Sequence, residues 1–382
     1  MKEPGVFCFL YLCSSKKITM PEKIFTNSKL LFSSSVPHGR VGWESPSNIA
    51  LVKYWGKKKG QIPQNPSLSF TLKESFTKTV VEYSPAVSKN FSVSFYLDGA
   101  RNKKFENRIA EYLDSISDIL PFLNQLDLKI NSKNTFPHSA GIASSAAGMS
   151  ALALCLCSIE KEYFGTLKTE SAFFQKASYL SRLGSGSAAR SLYGGLVSWG
   201  EIDGNPETSD LWGTQQSDKV HPDFLSYRDS IIIVDASQKK TSSSVGHGLM
   251  NSNPFSLQRF QQAQENIQSI IKAMQEGDFQ KFINVTESEA LTLHAMMMTS
   301  NPYYLLLKPN TLQIIDRIFE YRKSTGIPVC FTLDAGPNVH LLYPEKVESK
   351  VKSFIKDQLM QFSHQQMIIE DRVGKGPVEL DL

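Results

Sequence analysis

The chain has 382 residues, of which 41% are hydrophobic and 20% charged, and this balance excludes a disordered or membrane-spanning protein. Its length predicts two domains. The net charge is only +4 and the basic residues are scattered, which argues against nucleic-acid binding but suits a small polyanionic ligand. Five cysteines without a regular spacing favour free thiols in a reducing compartment, so we expect a cytoplasmic protein.

Residues 1–40 are predicted to be a flexible extension ahead of the folded domains. An apolar run over residues 5–13 weakly resembles a signal peptide, but it is short and no small-residue cleavage site follows it. Met20 is an alternative start of translation. Elsewhere the sequence contains no apolar run that approaches the length of a transmembrane helix.

The segment that follows is predicted to be rich in strands. Short β-branched or aromatic runs predict strands at residues 49–55, 68–72, 79–83, 91–97 and 126–130. Asp98 and Gly99 are typical of a hairpin turn. Helices are predicted at residues 105–119, before Pro121, and at residues 171–183. Strand 196–199 then precedes a polar linker at residues 201–218.

Residues 139–148 predict a phosphate-binding loop that leads directly into a helix. Small residues let the backbone approach an anion closely, and Ser144 and Ser145 fall where a first helical turn has free N–H groups. A stripe of apolar residues predicts that this helix is amphipathic: Met149, Leu152, Leu156, Ile159 and Tyr163. The loop lacks the Gly-Lys-Ser/Thr of a Walker A motif. The alternative explanation is that these small residues only allow the start of the helix to pack closely against the rest of the protein.

The second half of the chain changes pattern. A buried strand is predicted at residues 230–235, followed by three amphipathic helices within residues 260–274, 279–297 and 312–319. Strands at residues 329–333 and 339–343 precede a final helix at residues 345–359. The order of elements predicts an α+β fold in two domains, at residues 41–213 and 225–382, because strands and helices do not alternate regularly.

Polar side chains follow the apolar residues 49–52 at the end of a predicted strand. Lys53, Tyr54 and Lys57 combine two ammonium groups and a phenol, and Asn48 lies just upstream. Such a set is suited to holding phosphate. Lysines that protect an edge strand from aggregation are the alternative.

Three other segments carry polar groups that could act on a ligand. Ser67 and Ser69 follow a rigid turn, and Ser185, Ser187 and Arg190 occupy a second small-residue loop. Arg190 lies just inside a predicted helix start, where a cation is unfavourable, so its position requires a reason. For Ser67 and Ser69, the alternative is that the hydroxyls only stabilise the turn. For Arg190, the alternative is an ordinary arginine on the surface.

Asp334 leaves a buried strand into a Gly-Pro turn. It is either a general base or a residue that only hydrogen-bonds its own turn. A hydroxyl-rich basic loop at residues 239–244, which contains Ser243, is more typical of a solvated surface loop.

Together these segments resemble the mevalonate diphosphate decarboxylase family, within the superfamily of galactokinase, homoserine, mevalonate and phosphomevalonate kinases. The matching residues are 48–57, 66–69, 137–148, 185–195 and 334–338, in the family's order. The resemblance spans about residues 42–343. It implies a two-domain α+β kinase-like fold with the active site in the cleft between the domains.

The resemblance also implies a reaction. ATP would phosphorylate the 3-hydroxyl of (R)-5-diphosphomevalonate, and loss of phosphate and carbon dioxide would give isopentenyl diphosphate. Asp334 would act on the 3-hydroxyl, Arg190 would hold the carboxylate, and Lys53 would lie near the transferred phosphoryl group. ATP, with Mg²⁺, is the implied co-reactant. A homodimer is common among such relatives.

Further residues match by position. The resemblance implies that the substrate is bound by Asn48, Tyr54, Lys57, Ser185, Ser187, Arg190 and Ser243. It implies that the nucleotide is bound by Ser139, Gly141, Ala143, Ser144, Ser145 and Gly148. Metal ligands and adenine-contacting residues cannot be assigned from the sequence.

One departure from the related kinases bears on the alternatives. Those kinases often carry an aspartate in the loop that corresponds to residues 185–190, and this chain has none there. A mevalonate 3-kinase, a phosphomevalonate decarboxylase and a catalytically inactive homologue are the alternatives. The ammonium group of Lys57 and the phenol of Tyr54 favour a diphosphate substrate.

Overall fold

The structure, a computed structural model, describes residues 24–88, 91–137, 142–237 and 243–382. Its first half is built on a mainly antiparallel sheet. The strands of this sheet up to residue 215 are β1 (Gly39–Val52), β2 (Ser67–Pro85), β3 (Ser92–Leu97), β4 (Ala100–Arg101), β5 (Leu126–Asn134), β6 (Leu196–Trp199) and β7 (Thr214–Gln215).

Strand β2 is the centre of this sheet. It pairs with β1, β5 and β6, while β5 pairs in parallel with β3. β3 and β4 form a hairpin whose turn residues, Asp98 and Gly99, have φ of 50° and 81°, which confirms the predicted turn. The pairing of β1 with β2 is irregular between Pro46 and Asn48 and again between Ala50 and Val52. Such irregularities bend a strand and redirect its side chains, here next to the polar residues that follow β1.

The second half contains a smaller antiparallel sheet. Its strands are β8 (Arg228–Ile232), β9 (Cys330–Leu333), β10 (Val339–Tyr343) and β11 (Ile368–Arg372), in the order β11-β8-β10-β9. After β11 the chain returns to the first sheet, where β12 (Val378–Glu379) pairs with β1. The chain's last residues therefore contact the first sheet, although they follow the second one in sequence.

Helices pack on both sheets. They are α1 (Lys103–Ser115), α2 (Ser144–Phe164), α3 (Glu170–Gly184), α4 (Pro222–Leu225), α5 (Ser243–Leu249), α6 (Ser256–Glu276), α7 (Phe279–Met298), α8 (Pro309–Thr325) and α9 (Glu348–Phe354). A π-helical turn, Ile355–Leu359, continues α9. None of the helices in the described part of the chain is long and apolar enough to cross a membrane.

Helix α2 differs from its prediction. The sequence predicts an amphipathic helix, but α2 is buried nearly all round, with Ala147, Ala151, Leu154 and Cys157 fully inaccessible. It packs on β1, β2 and α3, and its small residues allow this close approach. Cys155 and Cys157 of this helix are buried free thiols, so they act as packing residues.

Other elements lie where the sequence predicts them, although several differ from the prediction in length. Strands β6 and β10 have the predicted bounds, whereas the two strands predicted at residues 68–72 and 79–83 form the single strand β2. Exposed Lys73 and Glu74 interrupt the apolar pattern of β2, and they lie where its pairing with β1 is irregular, between Thr71 and Phe76. The helix predicted at residues 105–119 begins at Lys103, where the Asn102 side chain caps it, and ends at Ser115.

A large apolar cluster joins the two halves. Ile49 and Phe70 of the first sheet pack in it with Phe224, Ile267 and Phe282 of the second half. Each half also has apolar clusters of its own. The shared cluster lies beside the polar residues that follow β1, and it holds the two walls of a cavity together.

Candidate active site

A cavity of about 670 Å³ is lined by residues from both halves of the chain. It brings together every predicted site residue that the structure describes: Asn48, Lys53, Tyr54, Lys57, Ala143, Ser144, Ser145, Gly148, Ser185, Ser187, Arg190, Ser243 and Asp334. Ser139 and Gly141 lie outside the described residues. Segments nearly 300 residues apart in sequence therefore share one cavity, while the role of each side chain remains a prediction.

The N-terminus of α2 forms one part of the cavity wall. Ala143 precedes the helix in a left-handed conformation, with φ of 39°, and Ser144 and Ser145 open its first turn. The first N–H groups of a helix have no partner within it, and the helix dipole favours an anion there. The Ser145 hydroxyl also lies 3.3 Å from that of Ser185, which joins the two small-residue loops.

Lys53 and Asp334 face each other across the cavity. Lys53 follows β1 and is 1% exposed, and its Nζ lies 3.8 Å from Asp334 Oδ1. Burial lowers the pKa of Lys53 to about 8, although the negative charge of Asp334 opposes this shift. The burial of Lys53 argues against the alternative that it only protects an edge strand.

Asp334 follows β9, and its side chain is 29% exposed. Its backbone carbonyl accepts hydrogen bonds from Gly336 N and from His294 Nε2, at 2.7 and 3.1 Å. The carboxylate is thus turned toward Lys53 and the cavity while the backbone makes the turn's own hydrogen bonds. His294, on α7, therefore fixes the position of this loop.

Arg190 is a buried guanidinium whose hydrogen-bond partners in the described structure are hydroxyl groups. It is 3% exposed and donates to Ser67 Oγ and Ser69 Oγ on β2. It lies near the end of the 3-10 turn Gly186–Ser191, not at the start of a helix as predicted. Burial lowers its pKa to about 10. Because two neutral hydroxyls do not neutralise the charge, the site suits an incoming anion.

Tyr54 is held between aromatic rings at the edge of the same wall. Its ring centroid lies 4.7 Å from that of Trp199 and 4.2 Å from that of His247. Gly186 permits this arrangement, since a Cβ there would lie 2.8 Å from the Tyr54 hydroxyl. That hydroxyl has no hydrogen-bond partner among the described residues, and burial raises the pKa of Tyr54. It is a donor available to a ligand.

Asn48 and Lys57 complete this part of the cavity. Asn48 Nδ2 donates to Ser191 Oγ at 2.8 Å and to the Ser187 carbonyl at 3.2 Å. Lys57 is half-buried, and its Nζ donates to Gln61 Oε1 at 2.9 Å. Burial lowers the pKa of Lys57. The amide of Asn48 ties β1 to the 3-10 turn that carries Arg190, whereas the ammonium of Lys57 can exchange its neutral partner for an anion.

Buried residues of the second half hold the segment that carries Lys53, and they were not predicted. Glu289 on α7 accepts a hydrogen bond from Lys53 N at 2.8 Å and forms a bidentate pair with Arg259 on α6. Arg259 in turn donates to the Lys53 carbonyl at 3.2 Å. Both side chains are fully buried. On helices with many surface charges, nothing in the sequence distinguishes this pair from solvent-exposed ones.

Another part of the cavity lining is largely apolar, and it was also not predicted. It is lined by Phe95, Leu97, Phe105, Arg108, Ile109 and Ile130, with Ser132 and Asn134 nearby. Apolar surface with a few polar groups is typical of a site for a flat heterocyclic ring. These residues alternate along strands or lie on α1, so their pattern in the sequence is that of ordinary core positions.

The donor set also fits a magnesium ion that arrives with a nucleotide. Magnesium prefers oxygen ligands and is usually held by one or two carboxylates together with substrate phosphates. Asp334 and the hydroxyls of Ser144 and Ser145 are such donors on the cavity wall. Among the described residues, no three His, Cys, Asp or Glu side chains form a group that could hold a metal by themselves.

Comparisons with known proteins agree over most of the chain. Residues 45–209 match the model of the diphosphomevalonate decarboxylase-like N-terminal domain, and residues 230–378 match that of the mevalonate 5-diphosphate decarboxylase C-terminal domain. The diphosphomevalonate decarboxylase of Candida albicans is 31% identical over 325 residues, which are 81% of this chain and 86% of the relative.

Solved structures agree with this result. The mevalonate diphosphate decarboxylase of Staphylococcus aureus superposes with a TM-score of 0.77 at 28% identity, over 90% of this chain and 99% of that one. A structure described as MDDEF in complex with MVAPP, AMPPCP and magnesium has a TM-score of 0.76 at 25% identity, over 91% of this chain and all of that one. The two-domain α+β fold of the decarboxylases is thereby confirmed, and the chain belongs to the diphosphomevalonate decarboxylase family.

Proposed function

We propose that the protein catalyses the ATP-dependent decarboxylation of (R)-5-diphosphomevalonate to isopentenyl diphosphate, with release of carbon dioxide, ADP and phosphate. The observation that carries this proposal is the convergence of Lys53, Asp334 and Arg190 on one cavity that α2 enters with its N-terminus. The related structure with MVAPP, AMPPCP and magnesium supports the same pair of substrates.

Phosphorylation of the tertiary hydroxyl is the first step. Asp334 accepts or orients the proton of the 3-hydroxyl, whose oxygen attacks the γ-phosphorus of ATP. Lys53, 3.8 Å from Asp334, neutralises charge on the phosphoryl group during transfer. The step makes hydroxide, a poor leaving group, into phosphate, a good one. Magnesium bound with ATP supplies further positive charge at the phosphates.

Decarboxylation follows when the 3-phosphate departs. The C–O bond breaks with its electron pair, positive character develops at C3, and the C–C bond to the carboxylate supplies the electrons of the new alkene as carbon dioxide leaves. Arg190 holds the carboxylate so that this bond is aligned with the departing phosphate. Ser67 and Ser69 keep the guanidinium in place.

The far end of the substrate is assigned to the polar residues around β1 and the 3-10 turn. The diphosphate is bound by Tyr54, Lys57, Ser185, Ser187 and Ser243, with Asn48 near the reacting hydroxyl. The ATP phosphates are assigned to Ala143, Ser144, Ser145 and Gly148. The adenine ring is assigned to the apolar part of the lining, near Phe95 and Phe105.

Three properties of the whole protein are also proposed. A cytoplasmic location is supported by the free, buried thiols of Cys155, Cys157 and Cys330. The family resemblance supports a homodimer and domain limits at residues 41–213 and 225–382. Within the second of these ranges, however, β12 pairs with β1 of the first sheet.

Three substrates distinguish the proposal from its nearest alternatives. The purified protein is incubated with ATP and magnesium and with mevalonate, its 5-phosphate or its 5-diphosphate, and carbon dioxide is measured. Carbon dioxide from the diphosphate alone is expected, because Tyr54 and Lys57 hold its outer charges. Carbon dioxide from the monophosphate would instead identify a phosphomevalonate decarboxylase. ADP without carbon dioxide from mevalonate would identify a 3-kinase.

A further inference from the structure

His247 is a buried imidazole in the cavity wall that the proposed mechanism does not use. It belongs to α5 and is 7% exposed. Its ring stacks on Tyr54 and Trp55, with centroid distances of 4.2 and 4.7 Å. It lines the same cavity as Lys57, Arg190 and Ser243. Two aromatic neighbours fix the orientation of the ring, so its nitrogen atoms have defined directions.

The hydrogen bond at one nitrogen determines the tautomer. The Gly56 backbone N–H donates to His247 Nδ1 at 3.0 Å, which requires Nδ1 to be unprotonated. The hydrogen of the neutral ring is therefore on Nε2. Burial, and then the nearby charges of Lys57 and Arg190, lower the pKa of His247 to about 3. Both effects favour the neutral ring.

The second nitrogen is an unused donor. Among the described residues, no hydrogen bond involves Nε2 of His247, and the cations around the ring repel a proton but attract anions. A neutral N–H on a wall that also carries Lys57 and Arg190 is suited to a phosphate oxygen. It adds a directed hydrogen bond without adding a third buried charge, which would be costly.

We propose that His247 is a further substrate-positioning residue, which donates its Nε2–H to an oxygen of the substrate diphosphate. This inference rests on the proposed function, since it assigns the diphosphate end of that substrate to the wall formed by His247, Lys57 and Tyr54. A purely structural role, in which the ring only supports Tyr54 and the Gly56 loop, is the competing explanation.

Two amide variants separate the roles of the two nitrogen atoms. His247→Asn keeps an acceptor near the position of Nδ1, for the Gly56 N–H, and removes the donor at Nε2. His247→Gln is longer and can place an amide N–H near the position of Nε2. We expect the KM for diphosphomevalonate to rise about tenfold in His247→Asn. In His247→Gln the KM should return most of the way to the wild-type value. The KM for ATP should not change in either variant.

The outcomes are distinct. If wild-type protein releases no carbon dioxide from diphosphomevalonate, the proposed function is wrong. If the wild type is active and His247→Asn has a wild-type KM for diphosphomevalonate, only the assignment of His247 is wrong. Equal rises of both KM values in both variants, with a lower melting temperature, would show a purely structural role and also overturn the assignment.

A measurement on the wild-type protein does not depend on the folding of a variant. Selective ¹⁵N labelling of the seven histidines gives a small set of ring signals, and that of His247 is absent from the His247→Gln spectrum. We expect a protonated Nε2 whose signal moves when diphosphomevalonate is added without ATP. A protonated Nδ1, or an Nε2 signal that does not respond to saturating diphosphomevalonate, would contradict the proposal.

Discussion

At the scale of single residues, two buried cations set the electrostatics of the cavity. Lys53 is 3.8 Å from its carboxylate, and Arg190 donates to serine hydroxyls. Burying a charge is unfavourable unless it is well paired, and among the residues that the structure describes neither cation has a carboxylate within close hydrogen-bond distance. An anionic ligand would supply the missing pairing. The cavity is therefore suited to binding one.

The pH dependence of activity should follow Lys53. Burial lowers its pKa to about 8, so below this pH it is a cation that can stabilise phosphate, and above it a neutral amine. We expect kcat/KM for diphosphomevalonate to fall on the alkaline side with an apparent pKa of about 8. Activity should return when the pH is lowered, which distinguishes titration from unfolding. A constant kcat/KM up to about pH 9.5 would contradict this role.

Replacing Arg190 by lysine tests its geometry at constant charge. Arg190→Lys loses the planar pair of donors, and we expect a 10- to 100-fold fall in kcat/KM, corresponding to about 1.4–2.8 kcal/mol. Arg182→Lys is the matched control, because Arg182 is buried but donates to the carbonyls of Leu211 and Gly60. The control should lose stability and keep its KM values. Equal kinetic effects in both variants would exclude a specific role for Arg190.

At the scale of elements, the segment after β1 depends on two helices of the other half. Glu289 and Arg259, on α7 and α6, hydrogen-bond the backbone of Lys53 on both sides. Asn65 donates to the same carbonyl at 2.9 Å. The position of the Lys53 ammonium is therefore fixed through its backbone by groups that do not line the cavity.

Glu289→Gln should affect both stability and catalysis. It leaves the fully buried Arg259 without its carboxylate, which costs about 3–5 kcal/mol in the free energy of unfolding. Glu160→Gln provides a control, since Glu160 forms an equally buried pair with Lys176, at 2.6 Å, away from the cavity. Denaturant titration should show losses in both variants, whereas kcat should fall only in Glu289→Gln. A kcat that falls equally in both would indicate general destabilisation.

The elements also show what the sequence can and cannot predict. Asn48, Lys53, Arg190 and Asp334 can be identified because each breaks a local apolar or small-residue pattern. Glu289 cannot, since a charged residue on a helix usually faces solvent. Strand β12 has two residues and is defined only by its pairing with β1, so no local pattern predicts it. The all-round burial of α2 depends on how closely α3 and β1 approach it.

At the scale of the whole molecule, the shared apolar cluster makes the two halves interdependent. Strand residues Ile49 and Phe70 pack in it with helical residues Ala263 and Phe282 of the second half. Strand β12 provides a further connection by pairing in the first sheet. The cavity walls are therefore parts of one packed structure, and separating the halves would expose apolar surface of both.

Unfolding should accordingly occur in one transition. The four tryptophans, Trp43, Trp55, Trp199 and Trp212, are all in the first half, so fluorescence reports mainly that half. Far-UV circular dichroism reports helices of both halves, including α6, α7 and α8. Coincident denaturant transitions by the two probes are expected. Separate midpoints would show that the halves unfold independently.

The stoichiometry of the reaction tests most directly whether one cavity performs both steps. Wild-type protein is given limiting diphosphomevalonate with excess ATP and magnesium, and the ADP and carbon dioxide formed are measured together. Asp334→Asn, which removes the group placed at the 3-hydroxyl, should form neither product. We expect equal amounts of ADP and carbon dioxide from the wild type. Carbon dioxide without ADP, or ADP without carbon dioxide, would contradict coupled phosphorylation and decarboxylation in this cavity.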